Sequence, residues 1–315
     1  MKCPRCQREN PDGVKFCTGC GLPLAPVRSH GGSKAGKVII GILKTFCYVM
    51  LMMGIQYIVS SVFASCAMLS DSSILYGFSY EDMARRVTEL LYENITMLTL
   101  IANLLTVLIL SLFFTLRKKN PLEETMLRPV KARLLPLCML YGTALNIFLS
   151  VTISYLPLPE SMFEALNNQY ASLYGQTNIF IEILNTAVIT GIVEEIIFRG
   201  LALSRLKRGM SRGAAVVISA LIFGIFHGAF IAVCYATLLG IIFALLAERH
   251  DSIVPTIVCH VFFNLTSYWF VTENTFIILA LYFAAIAVLI FGSYLLFRQD
   301  SGEEEKSDND NTESI

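Results

Sequence analysis

The chain has 315 residues, 55% of them hydrophobic and 15% charged, with a mean hydropathy of +0.63 and a formal net charge of zero. Soluble globular chains carry about 25% charged residues, so long stretches here hold no charge at all; disorder, collagen and a nucleic-acid-binding surface are excluded as descriptions of the whole. A zero sum still hides where the 24 basic and 24 acidic residues sit.

The amino terminus opens CPRCQRENPDGVKFCTGCG, in which Cys3, Cys6, Cys17 and Cys20 stand as C-x2-C-x10-C-x2-C. Two knuckles at this spacing present four thiolates to one tetrahedral ion, and four thiolates leave no position for a reactive water, so a structural zinc is expected. A redox pair or disulfides compete with that reading, but a reducing cytoplasmic location and two matched pairs favour metal. So short a segment cannot bury enough surface to fold alone, and zinc would supply the folding free energy. Residues 1–24 are therefore read as a zinc ribbon and 25–37 as a flexible linker.

Eight apolar runs follow, near 45–69, 95–116, 134–156, 178–204, 213–230, 231–247, 253–271 and 275–297. Each is about long enough to cross a hydrocarbon core as a helix. The fifth and sixth are parted only by His227-Gly228-Ala229-Phe230. The expected fold is an all-α membrane domain of about eight transmembrane helices over 38–298, preceded by the cytoplasmic ribbon. Met83, Val87, Leu90 and Leu91 share one helical face, so Tyr80 to Asn94 is expected to form a short surface helix. Residues 299–315 are acidic and read as a solvated, disordered tail.

Twenty of the 24 basic residues fall before the first run, in alternate loops, or after the last; the opposite loops hold only Arg85 and Arg86. The bias of Lys and Arg towards cytoplasmic loops places both termini in the cytoplasm and favours an even number of spans. Cys47, Cys66, Cys138, Cys234 and Cys259 have no pairing pattern and read as packing residues.

Glu194, Glu195 and Arg199 lie inside the fourth run, in TGIVEEIIFRG. An ionisable side chain at mid-bilayer costs roughly 2.5 to 3.5 kcal/mol on the insertion scale, so three together point to function. Glu195 and Arg199 are four apart and within pairing reach. Glu194 is turned about 100° away, its carboxylate left for another partner. The fifth run ends FGIFH, with Phe223 and His227, and the seventh carries HVFFN, with His260 and Asn264. Counting 1.5 Å per residue puts Glu194 about 16 Å from Arg205 and His260 about 14 Å from Asp251, so Glu194, His227, His260 and Asn264 are expected in one layer. Such a set can hydrolyse an acyl bond: Glu194 accepts a proton from water, His227 helps polarise that water, and His260 and Asn264 donate to the oxyanion. Ser219 is too far along its helix to pair with His227, which argues against a serine nucleophile. Phe223 is expected to shape the pocket. Glu182 reads equally as a vestibule or a snorkelling residue.

EEIIFRG, FGIFH and HVFFN match in order the motifs E-E-x-x-x-R, F-x-x-x-H and H-x-x-x-N, and over residues 180–271 the chain resembles the CPBP, or Abi, intramembrane protease family, which includes the type II CAAX prenyl endopeptidases and bacteriocin-immunity relatives. The opening segment similarly resembles the zinc ribbons at the ends of many bacterial and archaeal membrane proteins. The resemblance implies an eight-helix endopeptidase of a prokaryotic cell membrane, acting on a membrane-embedded or lipidated peptide. Glu194, His227, His260 and Asn264 would carry the chemistry, with Glu195 and Arg199 in support. The family has been described both as metal-dependent and as glutamate-dependent; two histidines and one glutamate make a weak zinc site, so the glutamate mechanism is favoured. Two other readings stay open: a non-catalytic scaffold or immunity protein that binds a partner, through its ribbon for instance, and an ion or proton-coupled transporter. No nucleic-acid partner is expected.

Overall fold

The computed structural model describes residues 8–9, 34–70, 79–173, 177–270, 272 and 274–298. The four ribbon cysteines, residues 25–33 of the expected linker and all of the acidic tail lie outside the described residues.

Every apolar run became helical. The helices are α1 (Lys34–Ser70), α2 (Tyr80–Glu93), α3 (Ile95–Leu116), α4 (Pro121–Glu124), α5 (Leu135–Ser154) and α6 (Glu160–Leu173). A continuous helical run follows, made of α7 (Ile179–Glu182), a π segment (Ile183–Ile189), α8 (Thr190–Glu195), a second π segment (Ile196–Leu203) and α9 (Ser204–Leu206). The chain ends with α10 (Arg212–Ile225), α11 (Phe230–His250), α12 (Val254–Trp269) and α13 (Thr275–Phe297). Among the described residues five helices, α1, α3, α5, α11 and α13, are long and apolar enough to cross a membrane by length and composition. The chain is a multi-pass membrane protein, and from residue 34 onwards all the regular structure among the described residues is helical.

Local chemistry sets the ends. The side chains of Ser79, Asn120, Asn178, Ser211 and Asn274 each accept a hydrogen bond from a backbone N–H in the first turn of the helix they precede. The surface helix expected over Tyr80 to Asn94 is α2, capped by Ser79 and ended at Asn94. The helix α1 begins at Lys34, inside the stretch read as linker.

Alanine, glycine and other small residues let the rods approach closely, as polar or small seams do where lipid supplies no hydrophobic drive. A Cβ added at Gly142 of α5 would lie 2.1 Å from the Cys259 carbonyl oxygen of α12, so these two helices touch backbone to backbone. Cys138 and Cys259 are buried in that same seam as free thiols, while Cys47, Cys66 and Cys234 are exposed.

One end of the bundle is closed by the segment between α3 and α5. A Cβ at Gly200 would lie 2.4 Å from the Thr125 carbonyl oxygen, so the segment lies against the second π segment. Met126, at φ 58°, is buried among Ile197, Leu201 and Ile253, and its carbonyl accepts from the Ile253 N–H at 3.0 Å. Glu124 pairs with Arg205 and, at 2.7 Å, with Lys119; Arg128 pairs with Asp251, and its carbonyl accepts from Ser252 Oγ at 2.6 Å. Burial pushes the Glu124 carboxyl up, but the Lys119 hydrogen bond and the charges of Arg205 and Lys119 outweigh it and hold the group below its ordinary value.

Candidate active site

The two glutamates sit on α8, between the π segments. A π turn holds more residues than an α turn, so counting at the α-helical rise overstates the depth of Glu194 below Arg205. Isolated π turns recur at functional sites because they re-aim side chains without breaking a helix.

Glu195 and Arg199 are buried side by side, with Arg199 Nη1 2.7 Å from Glu195 Oε1. The pair is not isolated. His260 Nδ1 lies 2.8 Å from the same Glu195 Oε1, so one carboxylate oxygen accepts from both the guanidinium and the imidazole. The guanidinium is held over the Phe223 ring at 4.2 Å and near the Phe243 ring at 5.5 Å, which compensates part of its desolvation. Phe223 therefore does more than shape a wall: its ring also meets His227 edge-on, with centroids 4.6 Å apart.

A carboxylate at Nδ1 fixes the proton on that nitrogen and turns Nε2 of His260 outwards. Nε2 lies 3.6 Å from Glu194 Oε2, beyond a direct hydrogen bond but within ion-pair range. The Glu194 side chain keeps 21% exposure, against 0% for Glu195. The adjacent glutamates thus have different surroundings: Glu195 is locked below, and Glu194 faces a cavity.

That cavity, of about 620 Å³, is lined by Glu194, His227, His260 and Asn264 together, along with Phe223 and Phe243. His227 stands in the turn just past α10 rather than on the helix itself. Gly228 follows at φ +76°, a left-handed conformation that a Cβ would strain, and α11 begins two residues later. His227 Nδ1 contacts the Phe223 carbonyl at 2.9 Å, which as an acceptor takes the Nδ1 proton and leaves Nε2 with its lone pair. Asn264 Nδ2 donates to the Thr186 carbonyl at 3.2 Å with one hydrogen and retains a second.

Sequence reasoning missed three contributors. Gln169 of α6 straps the His227 turn: its Nε2 donates to the His227 carbonyl at 2.7 Å, and its Oε1 accepts from the Ala229 N–H at 3.0 Å. Phe243 packs on His260 and Arg199, and Thr186 supplies the carbonyl that orients Asn264. Nothing in local pattern marks a lone Gln in a connector or a Phe in an apolar helix. Glu182 is 2% exposed and faces Tyr268, so it is neither vestibule nor snorkelling residue; a polar partner on α12 lets it stay inside. Ser219 Oγ bonds the Val216 carbonyl, away from His227.

Among the described residues, no three His, Cys, Asp or Glu side chains converge so as to hold a metal ion. Glu195 engages His260 at Nδ1 and the Phe223 carbonyl engages His227 at Nδ1, so the donor atoms left towards the cavity are the two Nε2 atoms and the Glu194 carboxylate.

Residues 176–266 match the family described as Type II CAAX prenyl endopeptidase Rce1-like. This agrees with the resemblance carried by the motifs. Residues 2–24 match the zinc-ribbon domain family. No curated protein and no solved structure matches the chain.

Proposed function

We propose that the protein is a glutamate-dependent intramembrane endopeptidase acting on a membrane-associated peptide. The observation that supports this most directly is the meeting of Glu194, His227, His260 and Asn264 on one cavity, with Glu194 and His260 3.6 Å apart. Water held between Glu194 and His227 Nε2 gives its proton to Glu194 as its oxygen attacks the scissile carbonyl carbon. The oxyanion takes hydrogen bonds from the spare Asn264 hydrogen and from Nε2–H of a doubly protonated His260. Glu194 then hands the proton to the leaving amine, the C–N bond breaks, and a new carboxyl and a new amine result. Glu195, tied to Arg199, holds His260 in place throughout and does not exchange protons.

In this reading Cys3, Cys6, Cys17 and Cys20 hold a structural zinc, supported by their spacing and by the ribbon match. The eight apolar helical rods cross a bacterial or archaeal cell membrane with both termini in the cytoplasm, supported by the placement of basic residues.

The test pairs full-length protein with a chain lacking residues 1–36, measuring metal content and peptide cleavage together. Shortened protein that is metal-free and still cuts is the expected result. Cleavage that requires metal stoichiometric with the shortened chain overturns the glutamate mechanism, and cleavage retained by Glu194→Ala overturns the assignment of the base.

A further inference from the structure

The catalytic cavity is open towards one face of the bundle and sealed towards the other. Beneath Glu194, every residue from Glu195 to Leu203 is buried, as are Arg205 and Leu206. The segment 117–131, pinned through Thr125, Met126 and the Glu124–Arg205 pair, covers that end. Above Glu194 the lining comes from Gln56 and Ser60 late in α1, Thr99 and Asn103 early in α3, and Asn185 early in the motif run. Asn103 is about 12 Å along α3 from its start at Ile95. These stations lie in the halves of their helices that face away from the loops holding Arg117, Arg128, Arg205, Arg208 and Arg249.

The chemistry of the lining adds a second constraint. Glu194 is the sole Lys, Arg, Asp or Glu among the lining residues. A substrate cut three residues before its end, as a C-a-a-X tail is, would carry a free carboxylate about 10 Å from the scissile bond. Burying that anion without a cation beside it is costly, and the cationic His260 of the mechanism above is at the scissile bond, 3.6 Å from Glu194, and not where the tail would end. The nearest guanidinium, Arg199, lies below the floor and is already engaged by Glu195. The amide, hydroxyl and phenol groups around the cavity suit the backbone of an uncharged extended peptide.

We infer that the substrate reaches this site from the extracytoplasmic side, as an internal uncharged stretch of a membrane-anchored peptide and not as a cytoplasmic carboxyl-terminal tail. The inference rests on the proteolytic reading above and on the cytoplasmic placement of the basic loops.

Two measurements test it in intact cells with the full chain. In the first, Asn103→Cys and Arg208→Cys are each exposed to a small membrane-impermeant thiosulfonate, with the native chain as baseline. Asn103→Cys should react at least tenfold faster than the baseline without permeabilisation, and Arg208→Cys only after it. Reaction of Arg208→Cys in intact cells overturns the orientation, and with it this inference, while leaving the proteolytic reading standing. Arg208→Cys internal and Asn103→Cys reactive only after permeabilisation overturns the access route alone. In the second, peptides that accumulate in cells carrying Glu194→Ala are sequenced. Segments internal to extracytoplasmic regions support the inference, and cytoplasmic carboxyl-terminal tails overturn it. No accumulation of any peptide counts against proteolysis itself, whatever the labelling gives.

Discussion

His260 Nδ1 lies 2.8 Å from Glu195 Oε1, the oxygen that also receives Arg199 Nη1 at 2.7 Å. The first glutamate of the E-E motif is thereby left facing the cavity, and the second becomes the fixed point from which the histidine is aimed. Two adjacent, chemically identical side chains thus have different surroundings, with Glu194 21% exposed and Glu195 fully buried against Arg199 and His260.

Removing one member of the buried pair strands the other. Glu195→Ala or Arg199→Ala should destabilise the protein by about 3–5 kcal/mol, seen as a lower Tm in detergent. The double variant Glu195→Leu with Arg199→Met should regain much of the lost Tm, because a buried ion pair exchanged for apolar groups of similar volume is often neutral. Cleavage should remain lost in the double variant, since His260 has no acceptor at Nδ1. Activity returning together with Tm would show that Glu195 serves stability only.

Glu194→Gln keeps volume and hydrogen bonding but removes the base. A loss of cleavage by about 10²-fold or more is expected, with Tm within about a degree or two of the parent, as its side chain is partly exposed and stands 3.6 Å from His260 Nε2, beyond a direct hydrogen bond. Comparable losses in Tm and rate would place Glu194 with the structural pair instead.

Gln169 bonds the backbone on either side of Gly228, at the His227 carbonyl and the Ala229 N–H. Gln169→Ala removes two hydrogen bonds from the turn at Gly228, worth about 1–3 kcal/mol together. If the strap positions His227, kcat should fall about tenfold or more while KM changes little, and Gln169→Glu, which keeps the acceptor for Ala229, should recover part of the rate.

Gly142→Ala places a methyl group 2.1 Å from the Cys259 carbonyl oxygen, one residue from His260 on α12. Backbone cannot yield as a side-chain tip can, so α5 and α12 must separate. The expectation is a stability loss of about 1–3 kcal/mol and a fall in activity from displaced His260. An unchanged Tm would mean the seam is looser than the packing implies.

Acid should loosen the closed end of the bundle. The Glu124 carboxyl is held below its ordinary value of 4.5 by Lys119 and Arg205, so its contribution is complete above about pH 4.5 and is lost as pH falls through the lowered folded value. Tm measured from pH 6 down to 3 should drop below pH 4.5 more steeply for the native chain than for Glu124→Gln. Parallel curves would show that this carboxylate does not help hold the segment.

The rods were legible from hydropathy because a helix that meets lipid must satisfy its backbone locally and show apolar side chains along its length. The break between the fifth and sixth was the hardest to read, marked only by His227-Gly228-Ala229-Phe230; the structure turns the chain there at Gly228, whose φ of +76° glycine takes without strain. The site was half legible. Polar residues stand out in an apolar chain, so Glu194, Glu195, Arg199, His227, His260 and Asn264 were conspicuous. Their pairings were not: His260 finds Glu195 across 65 residues of chain, and the two π segments shift the register that α-helical counting assumes.

By itself, then, the sequence determined the helical class, the partition of basic residues between loops, the ribbon spacing and the identity of the polar residues inside the bundle. Each follows from composition and local periodicity. Tertiary structure alone decided that Glu195 is sealed while Glu194 is not, that Gln169 holds the His227 turn, and that Met126 and Thr125 close one end so the cavity opens at the other. Those outcomes depend on which backbones approach closely enough to exclude water, and close approach is a property of packed helices that no single segment carries.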